Sequence, residues 1–311
     1  MTARAAVDVG SNAARLLVAD RGEPVLRRSR ITGLAEGLGD TGMLSTAALA
    51  RTATVLEDYR RELDQRGAML TRVVGTAAAR AAGNAGELAG LVADVLGRPL
   101  EVLTAEEEAR LTFVGTAGGE TRGRRLVADI GGGSTELAVG DAVPEGVASL
   151  DLGSAALTAS ELASDPPRPE ELSNAIALVQ EQVNEALRAL PRVDEWTPVI
   201  GTGGTILTIA AVEIGLPLPI AGPGPDGDRD IEADPALHDF VLTRAAAEDV
   251  FRTLAGEALA DRVHNPGLPP GRAVSIVGGC CILVGLLRRL RAPALTVSVT
   301  DLLDGILREA P

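Results

Sequence analysis

The sequence contains no lysine, so its 29 basic side chains are all arginine, set against 43 aspartates and glutamates. The formal net charge is −14. Binding of duplex nucleic acid relies on a broad basic surface, and this chain lacks the composition for one. We therefore expect no nucleic-acid partner. A polyanionic substrate would need a local arginine cluster within an acidic molecule.

Aromatic residues and cysteines are also scarce. One Trp, one Tyr and three Phe are few for stacking platforms on bases. Cys280 and Cys281 are adjacent in an apolar run, which favours core packing over a disulfide. His238 and His264 lie far apart and form no zinc motif.

No apolar run reaches the length of a membrane span, and the N-terminus enters a predicted strand without the pattern of a signal peptide. These absences predict a cytoplasmic protein with no membrane partner. What the chain has is length and apolar content: 311 residues, 46% hydrophobic, enough for two globular domains.

The most informative stretch runs from Asp129 through three glycines to Glu136. Apolar residues 126–128 precede it and apolar residues 137–139 follow it, which predicts a β-hairpin with a glycine tip. Glycines leave backbone N–H groups bare, so an anion can approach them closely. A carboxylate beside them would repel phosphate unless a divalent cation lay between. The stretch therefore predicts a metal–phosphate site.

The same order of residues occurs near the N-terminus. Asp8, Gly10, Ser11 and Asn12 follow one apolar segment and precede another, residues 16–19. Two such hairpins predict two related lobes that present their loops to a shared cleft. Ordinary tight turns with a capping aspartate are the alternative.

Short strands and helices alternate along the chain, which is typical of an α/β fold. Ser45 is a good N-cap for a helix over 47–66. Thr104 caps a second helix that begins with three glutamates, 106–108, and runs toward Gly115. Acidic residues favour a first helical turn, so the residues alone do not say which glutamate faces the cleft. We expect the glycine-rich segment 115–125 to cross between domains and 217–235 to be a loop.

Together these segments resemble the Ppx/GppA family of exopolyphosphatases and guanosine pentaphosphate phosphohydrolases. The resemblance covers essentially the whole chain. The matching segments are 8–12, 34–38, 106–111, 129–136, 201–205, 270–272 and 301–305.

The resemblance implies an α/β fold of two actin-like (ribonuclease H-like, ASKHA) lobes around a central cleft. The expected domains are 1–124 and 125–300, with a terminal helix over about 301–311 packing back on the first. The resemblance also suggests that the protein is a homodimer.

The catalytic glutamate of the family precedes Ala-Arg in this motif and corresponds to Glu108. The resemblance implies that Glu108 is the base or orienter of the attacking water. Glu136 matches a second functional acid, although a solvated loop carboxylate is the alternative. Asp8 and Asp129 would hold Mg²⁺ directly or through water. The phosphate-binding residues implied in the same way are Gly10, Ser11, Asn12, Gly131, Gly132, Gly133, Ser134, Thr135, Arg80 and Gly203.

Some positions depart from the family pattern. Gly33 stands where many members have arginine, and Ala105 replaces a common glycine. The first change removes a cation near the expected substrate path, which favours shorter polymers. Arg30 and Arg80 remain as cationic candidates.

The function predicted from these residues is Mg²⁺-dependent release of terminal orthophosphate from inorganic polyphosphate. Hydrolysis of guanosine pentaphosphate (pppGpp) at its 5′ end is the alternative within the same class. An actin-like nucleotide switch, a sugar kinase, or a non-catalytic sensor of polyphosphate or of the alarmones pppGpp and ppGpp are alternatives of other classes.

Overall fold

The computed structural model describes residues 3–117, 123–194, 197–217 and 234–309. Parts of the expected crossing and of the expected 217–235 loop lie outside the described residues.

The first half of the chain forms a five-stranded sheet, here called the N-terminal sheet, with helices packed on it. Its strands are β1 (Arg4–Val9), β2 (Ala13–Asp20), β3 (Glu23–Ile31), β4 (Met69–Gly75) and β5 (Leu100–Val102). The helices of this half of the chain are α1 (Leu38–Thr41), α2 (Thr46–Arg66), α3 (Ala77–Ala81), α4 (Ala85–Leu96) and α5 (Ala105–Ala117).

The second half forms a six-stranded sheet, the C-terminal sheet. Its strands are β6 (Arg125–Ile130), β7 (Thr135–Gly140), β8 (Pro144–Leu150), β9 (Val199–Thr202), β10 (Val241–Thr243) and β11 (Ala294–Val297). The helices are α6 (Ser154–Glu161), α7 (Pro169–Ala189), α8 (Gly204–Glu213), α9 (Arg244–Gly256), α10 (Leu259–Arg262), α11 (Ile276–Leu290) and α12 (Leu302–Glu309), with 3₁₀ turns at Pro235–Leu237 and Pro270–Arg272.

The two sheets repeat one topology. The N-terminal order is β3-β2-β1-β4-β5, and the C-terminal sheet has β8-β7-β6-β9-β11 in the matching places, with β10 added at the edge. In each, three antiparallel strands form a meander and the first of them pairs parallel with the next strand, β1 with β4 and β6 with β9. The doubled sequence pattern therefore corresponds to a doubled architecture.

The parallel pairing explains where the two aspartates lie. Asp8 pairs with Val74 one residue before the end of β1, and Asp129 pairs with Thr202 one residue before the end of β6. Ligands of open α/β sheets bind outside the carboxyl ends of the strands. Both aspartates are therefore at the edge where a ligand is expected.

Capping side chains begin helices α2 and α5 where the sequence predicted them. The Ser45 hydroxyl accepts a hydrogen bond from Ala48 N–H at 3.1 Å, and Thr104 Oγ1 accepts one from Glu107 N–H at 3.1 Å. Gly97 ends α4 with φ of 66°, a left-handed conformation that glycine adopts without steric cost. The predicted caps at Ser45 and Thr104 are confirmed.

Helix α12 returns from the C-terminal sheet to pack on the N-terminal one. Leu302, Leu303, Ile306 and Leu307 join a core cluster that includes Leu111 of α5 and residues of β1 and β2. The largest core lies in the second half, where most of α11 is buried. The exact domain limits, 1–124 and 125–300, stay a prediction.

Gly115 corrects one sequence-based boundary. Gly115 does not begin the crossing, because α5 continues through it to Ala117. A Cβ on Gly115 would lie 1.8 Å from the Asp301 carbonyl oxygen, so this glycine lets α12 approach closely. Gly278 and Gly279 lie inside α11, where a Cβ would meet α6 and Thr205. Helix α3, helix α6 and strand β10 were not predicted, since short elements carry little periodicity.

Across the described ranges, no helix combines the length and apolar character needed to cross a membrane.

Candidate active site

A cleft between the two sheets encloses about 530 Å³, open solvent included. Residues from both sheets line it, and they include all four carboxylates singled out from the sequence: Asp8, Glu108, Asp129 and Glu136. The sequence-based expectation of one shared cavity agrees with this arrangement.

The two glycine loops are built alike and touch each other. Gly10 N–H donates to the Ala13 carbonyl and Gly131 N–H donates to the Ser134 carbonyl, each at 3.0 Å. A Cβ on Gly132 would lie 2.7 Å from Asn12 Cβ. The missing side chain at Gly132 lets its loop approach Asn12 this closely, so backbone amides of both lobes lie near each other.

Asp8 is completely buried, and its two oxygens differ in their surroundings. Oδ2 accepts hydrogen bonds from Arg15 Nε at 3.0 Å and Nη2 at 2.7 Å. Oδ1 has no hydrogen-bond partner among the described residues. Burial raises the pKa of Asp8, and Arg15 opposes the rise. A buried acceptor without a partner is costly unless a ligand supplies one.

Asp129 is 6% exposed and lies against the loop that follows β9. A Cβ on Gly203, whose φ is +87°, would come 2.1 Å from Asp129 Oδ1. Burial, together with the negative charges of Asp301 and Asp8, raises the pKa of Asp129 to about 6 despite Arg15. A bound cation would relieve this repulsion.

Glu108 lies in the first turn of α5 and is 8% exposed. Arg80 Nη1 donates to Glu108 Oε2 at 2.6 Å and also to the Leu103 carbonyl. Burial raises the pKa of Glu108 to about 7, although Arg80 acts in the opposite direction. A carboxylate with a pKa near neutrality is suited to accept a proton from water.

Glu136 is 3% exposed and accepts a hydrogen bond from the Ser149 hydroxyl at 3.1 Å. Burial raises its pKa, and the nearby charges of Glu108 and Asp129 add to the rise. It is therefore not a solvated loop carboxylate, and that alternative is not supported.

The other predicted residues fall into two groups. Within the described ranges, Asn12 Nδ2 is buried without a hydrogen-bond partner. Ser11 Oγ accepts from the Ala78 N–H at 3.1 Å, which leaves its own proton free to donate into the cleft. The predicted phosphate-binding residues that line the cleft are Gly10, Ser11, Asn12, Gly131, Gly132, Gly133, Ser134 and Gly203.

Thr135 and Arg80 are not among the lining residues. The Thr135 hydroxyl, at the start of β7, donates to the carbonyl of Leu152 just after β8, and Thr135 is 1% exposed, so it has no free donor for phosphate. Arg80 contacts Glu108 instead. Arg30 donates to the Ser29 carbonyl along β3 and is also outside the lining.

Sequence reasoning missed Arg15, Gly204 and Arg272, which also line the cleft. Arg15 pairs with Asp8 across the β1–β2 hairpin, so its place could have been found from the hairpin register. Arg272 lies over Gly204, where a Cβ would come 2.1 Å from its guanidinium. Its segment belonged to the resemblance, but no local pattern predicted its contact with the loop after β9.

The donor set suits a hard divalent cation. In the four ranges that the structure describes, no group of three or more His, Cys, Asp or Glu side chains could hold a metal by itself. Asp8 Oδ1 and the carboxylate of Asp129 are nevertheless oxygen donors at one cleft. Mg²⁺ binds through one or two carboxylates and completes its shell with water and substrate phosphates, so two aspartates fit it.

Comparison with known proteins identifies the family. The family model of the Ppx/GppA phosphatase family matches residues 17–310. Exopolyphosphatase 2 of Mycobacterium tuberculosis is 37% identical over 98% of both chains. The crystal structure of the Aquifex aeolicus Ppx/GppA family member is 29% identical, with a TM-score of 0.75 over 98% of this chain and 96% of that one. The guanosine-5′-triphosphate,3′-diphosphate pyrophosphatase of Vibrio cholerae is 28% identical over 98% of this chain but only 58% of its own length.

A two-lobed α/β fold with glycine loops and four carboxylates at its cleft defines a protein of the phosphohydrolase class. The chain belongs to the Ppx/GppA phosphatase family. The predicted fold of two actin-like lobes is confirmed, as is the predicted family. Members of this family are generally metal-dependent.

Proposed function

We propose that the chain is an exopolyphosphatase that removes the terminal phosphate of inorganic polyphosphate, with short chains as its preferred substrates. The observation that carries the proposal is a set of three groups at one cleft. Two of them, the acceptor Asp8 Oδ1 and the donor Asn12 Nδ2, are buried without a hydrogen-bond partner among the described residues. The third is Glu108, a carboxylate held by Arg80 whose pKa lies near 7. A cation would satisfy the acceptor, a phosphate oxygen would satisfy the donor, and Glu108 would accept a proton from water. The identity with a named exopolyphosphatase supports the same substrate class.

Each proposed role follows from the contacts of the residue. The bare amides of the loop 131–133 and the side chains of Ser11 and Asn12 bind the oxygens of the terminal phosphate. Arg80 holds Glu108 by a 2.6 Å charge-assisted hydrogen bond and so orients it. Glu108 accepts the proton of the water that attacks the terminal phosphorus. The bond from that phosphorus to the bridging oxygen breaks, and orthophosphate and the shortened polymer leave.

Asp8 and Asp129 would hold Mg²⁺, which supplies neutralisation of the charge on the phosphate oxygens. Ser149 orients Glu136, and we propose that Glu136 positions the water. Positioning and charge neutralisation account for most catalysis of phosphoryl transfer, so this set of groups is sufficient for the reaction.

The test is phosphate release from short polyphosphate, long polyphosphate, guanosine pentaphosphate and ATP, measured side by side with Mg²⁺. We expect the highest kcat/KM with short polyphosphate. Faster turnover of guanosine pentaphosphate would replace the proposed substrate, and release from none of the four would overturn the proposal.

The role of Glu108 is tested by Glu108→Gln, with Glu106→Gln as the matched control on the same helix. The first change keeps the shape and the acceptor for Arg80 but removes the base, so kcat should fall about 100- to 10,000-fold. Glu106 is exposed, and its substitution should leave kcat unchanged. Equal rates for wild type and Glu108→Gln would remove Glu108 from its proposed role.

A further inference from the structure

Arg15 connects the cleft to the C-terminal segment. Its Nε and Nη2 donate to a single oxygen of Asp8, Oδ2, and its Nη1 donates to Asp301 Oδ2 at 2.8 Å. Only 18% of the Arg15 side chain is exposed. The planar guanidinium has its donors in a fixed fork, so the bond to Asp301 sets which edge faces Asp8.

Asp301 is 4% exposed and lies between β11 and α12. Besides Arg15, it accepts from Leu303 N–H at 2.9 Å, and its Oδ1 is 3.4 Å from Arg27 Nη1. Burial opposes its ionisation, but the charges of Arg15 and Arg27 lower the pKa of Asp301. Asp301 is therefore an anion that holds Arg15 from the side opposite the cleft aspartate.

This arrangement decides which oxygen of Asp8 stays available. Because Arg15 directs Nε and Nη2 to Oδ2 and Nη1 to Asp301, Oδ1 remains buried without a hydrogen-bond partner among the residues that the structure describes. Without the Asp301 charge, one Arg15 donor would lose its acceptor and the guanidinium could turn toward Oδ1. The cleft would also become more positive by one charge, which disfavours a cation.

We propose that Asp301 is a positioning residue for the cation site at Asp8, acting through Arg15. The C-terminal segment is then part of the active site even though it comes last in the chain. This inference rests on the proposed function in one respect, the divalent cation at Asp8 and Asp129.

Asp304 offers a matched control. It is also buried, at 6% exposure, and it accepts from Arg27 Nη2 at 2.7 Å and from the Asp301 N–H at 2.8 Å. Within the part of the chain that the structure describes, the hydrogen bonds and ion pairs of Asp304 do not include Arg15. Asp304→Asn should therefore weaken the docking of α12 as Asp301→Asn does, while leaving Arg15 in place.

The experiment measures binding of Mn²⁺, a probe for the Mg²⁺ site, to the full chain without substrate by titration calorimetry. The titrations are run at a temperature at which thermal unfolding curves show that every variant is folded. Asp301→Asn should weaken Mn²⁺ binding about 10- to 100-fold, the range found when groups behind metal ligands are removed. The Mg²⁺ concentration for half-maximal phosphate release should rise in parallel, and saturating Mg²⁺ should restore most of the rate. Asp304→Asn should keep the affinity of the wild type.

Asp301→Asn retains an acceptor for the Leu303 N–H. If that variant does not fold, Asp301→Ser, which also retains an acceptor for this N–H, takes its place. Wild-type Mn²⁺ affinity in the Asp301 variant would overturn the inference, and so would an equal loss in the Asp304 variant, since the effect would then be docking alone. If Mn²⁺ binds and Asp301→Asn weakens it, but the wild type releases no phosphate from polyphosphate, the proposed function fails while this inference stands.

Discussion

The raised pKa of Glu108 predicts that the proposed base destabilises the metal-free protein. Its pKa rises from 4.5 to about 7 because the folded protein buries it. At about 1.4 kcal/mol per pKa unit, ionised Glu108 costs roughly 3 kcal/mol of folding free energy. Glu108→Gln removes this cost and keeps an acceptor for Arg80. We therefore expect the inactive variant to be more stable than the wild type, by up to about 3 kcal/mol at pH 8.

The size of this stability difference depends on pH. Below pH 4.5 the side chain is protonated in both the folded and the unfolded chain, so the stability that a neutral Glu108 contributes is fully present. As pH rises through the folded pKa of about 7, the unfolded chain has already released its proton and that stability is lost. The difference between Glu108→Gln and wild type should thus be near zero below pH 5 and largest above pH 8.

The assay is thermal unfolding in EDTA from pH 5 to pH 8.5, followed by circular dichroism. At pH 8 the midpoint of Glu108→Gln should exceed that of the wild type by roughly 5–10 °C. Glu106→Gln, two residues away and exposed, should show no such pH-dependent gain. A Glu108→Gln variant that is less stable than wild type at pH 8, or a gain that does not change with pH, would refute the reasoning.

Three further predictions concern the cation and the glycines. EDTA should abolish phosphate release and Mg²⁺ should restore it, because Asp8 and Asp129 would otherwise face phosphate as bare carboxylates; full activity in EDTA would contradict the metal assignment. Gly203→Ala places a Cβ 2.1 Å from Asp129 Oδ1 at a φ of +87°. The Mn²⁺ affinity measured by calorimetry should therefore fall, and the free energy of unfolding should drop by about 1–3 kcal/mol. Unchanged Mn²⁺ binding would refute this prediction. Gly115→Ala should destabilise the folded protein by about 2 kcal/mol or more, because its Cβ would displace Asp301. Gly90→Ala, in open space on α4, should instead stabilise the folded protein by about 0.5–1 kcal/mol. Unfolding in denaturant measures both changes.

The carboxylates and the loops of the site were predictable from local pattern. Asp8 and Asp129 each end an apolar strand and precede glycine, and a parallel sheet brings such strand ends to one edge. Ser11 and Asn12 follow for the same reason. The choice of Glu108 among three glutamates came from the family motif and not from the residues, because all three equally favour the start of a helix. Burial separates them in the structure, since Glu106 is exposed and Glu108 is not.

Thr135 shows the limit of local pattern. The resemblance implied that the loop motif containing Thr135 binds phosphate. In the structure, the register of β7 places the Thr135 hydroxyl inside the fold, where it donates to the Leu152 carbonyl. Adjacent strand residues face opposite sides of a sheet, so a shift of one position decides whether a side chain reaches a ligand. That register is set by the pairing of β7 with β6 and β8.

By itself, the sequence determined the α/β class, the doubled hairpin and the two aspartates at the cleft, because these depend on residues adjacent in the chain. Only the tertiary structure decided that Arg15 lies between Asp8 and Asp301 and that α12 crosses α5 at Gly115. Arg15 and Asp301 are 286 residues apart in the chain, and Gly115 is also distant in sequence from α12. Their partners are chosen by packing and by the pairing of buried charges, for which no local spacing gives a signal.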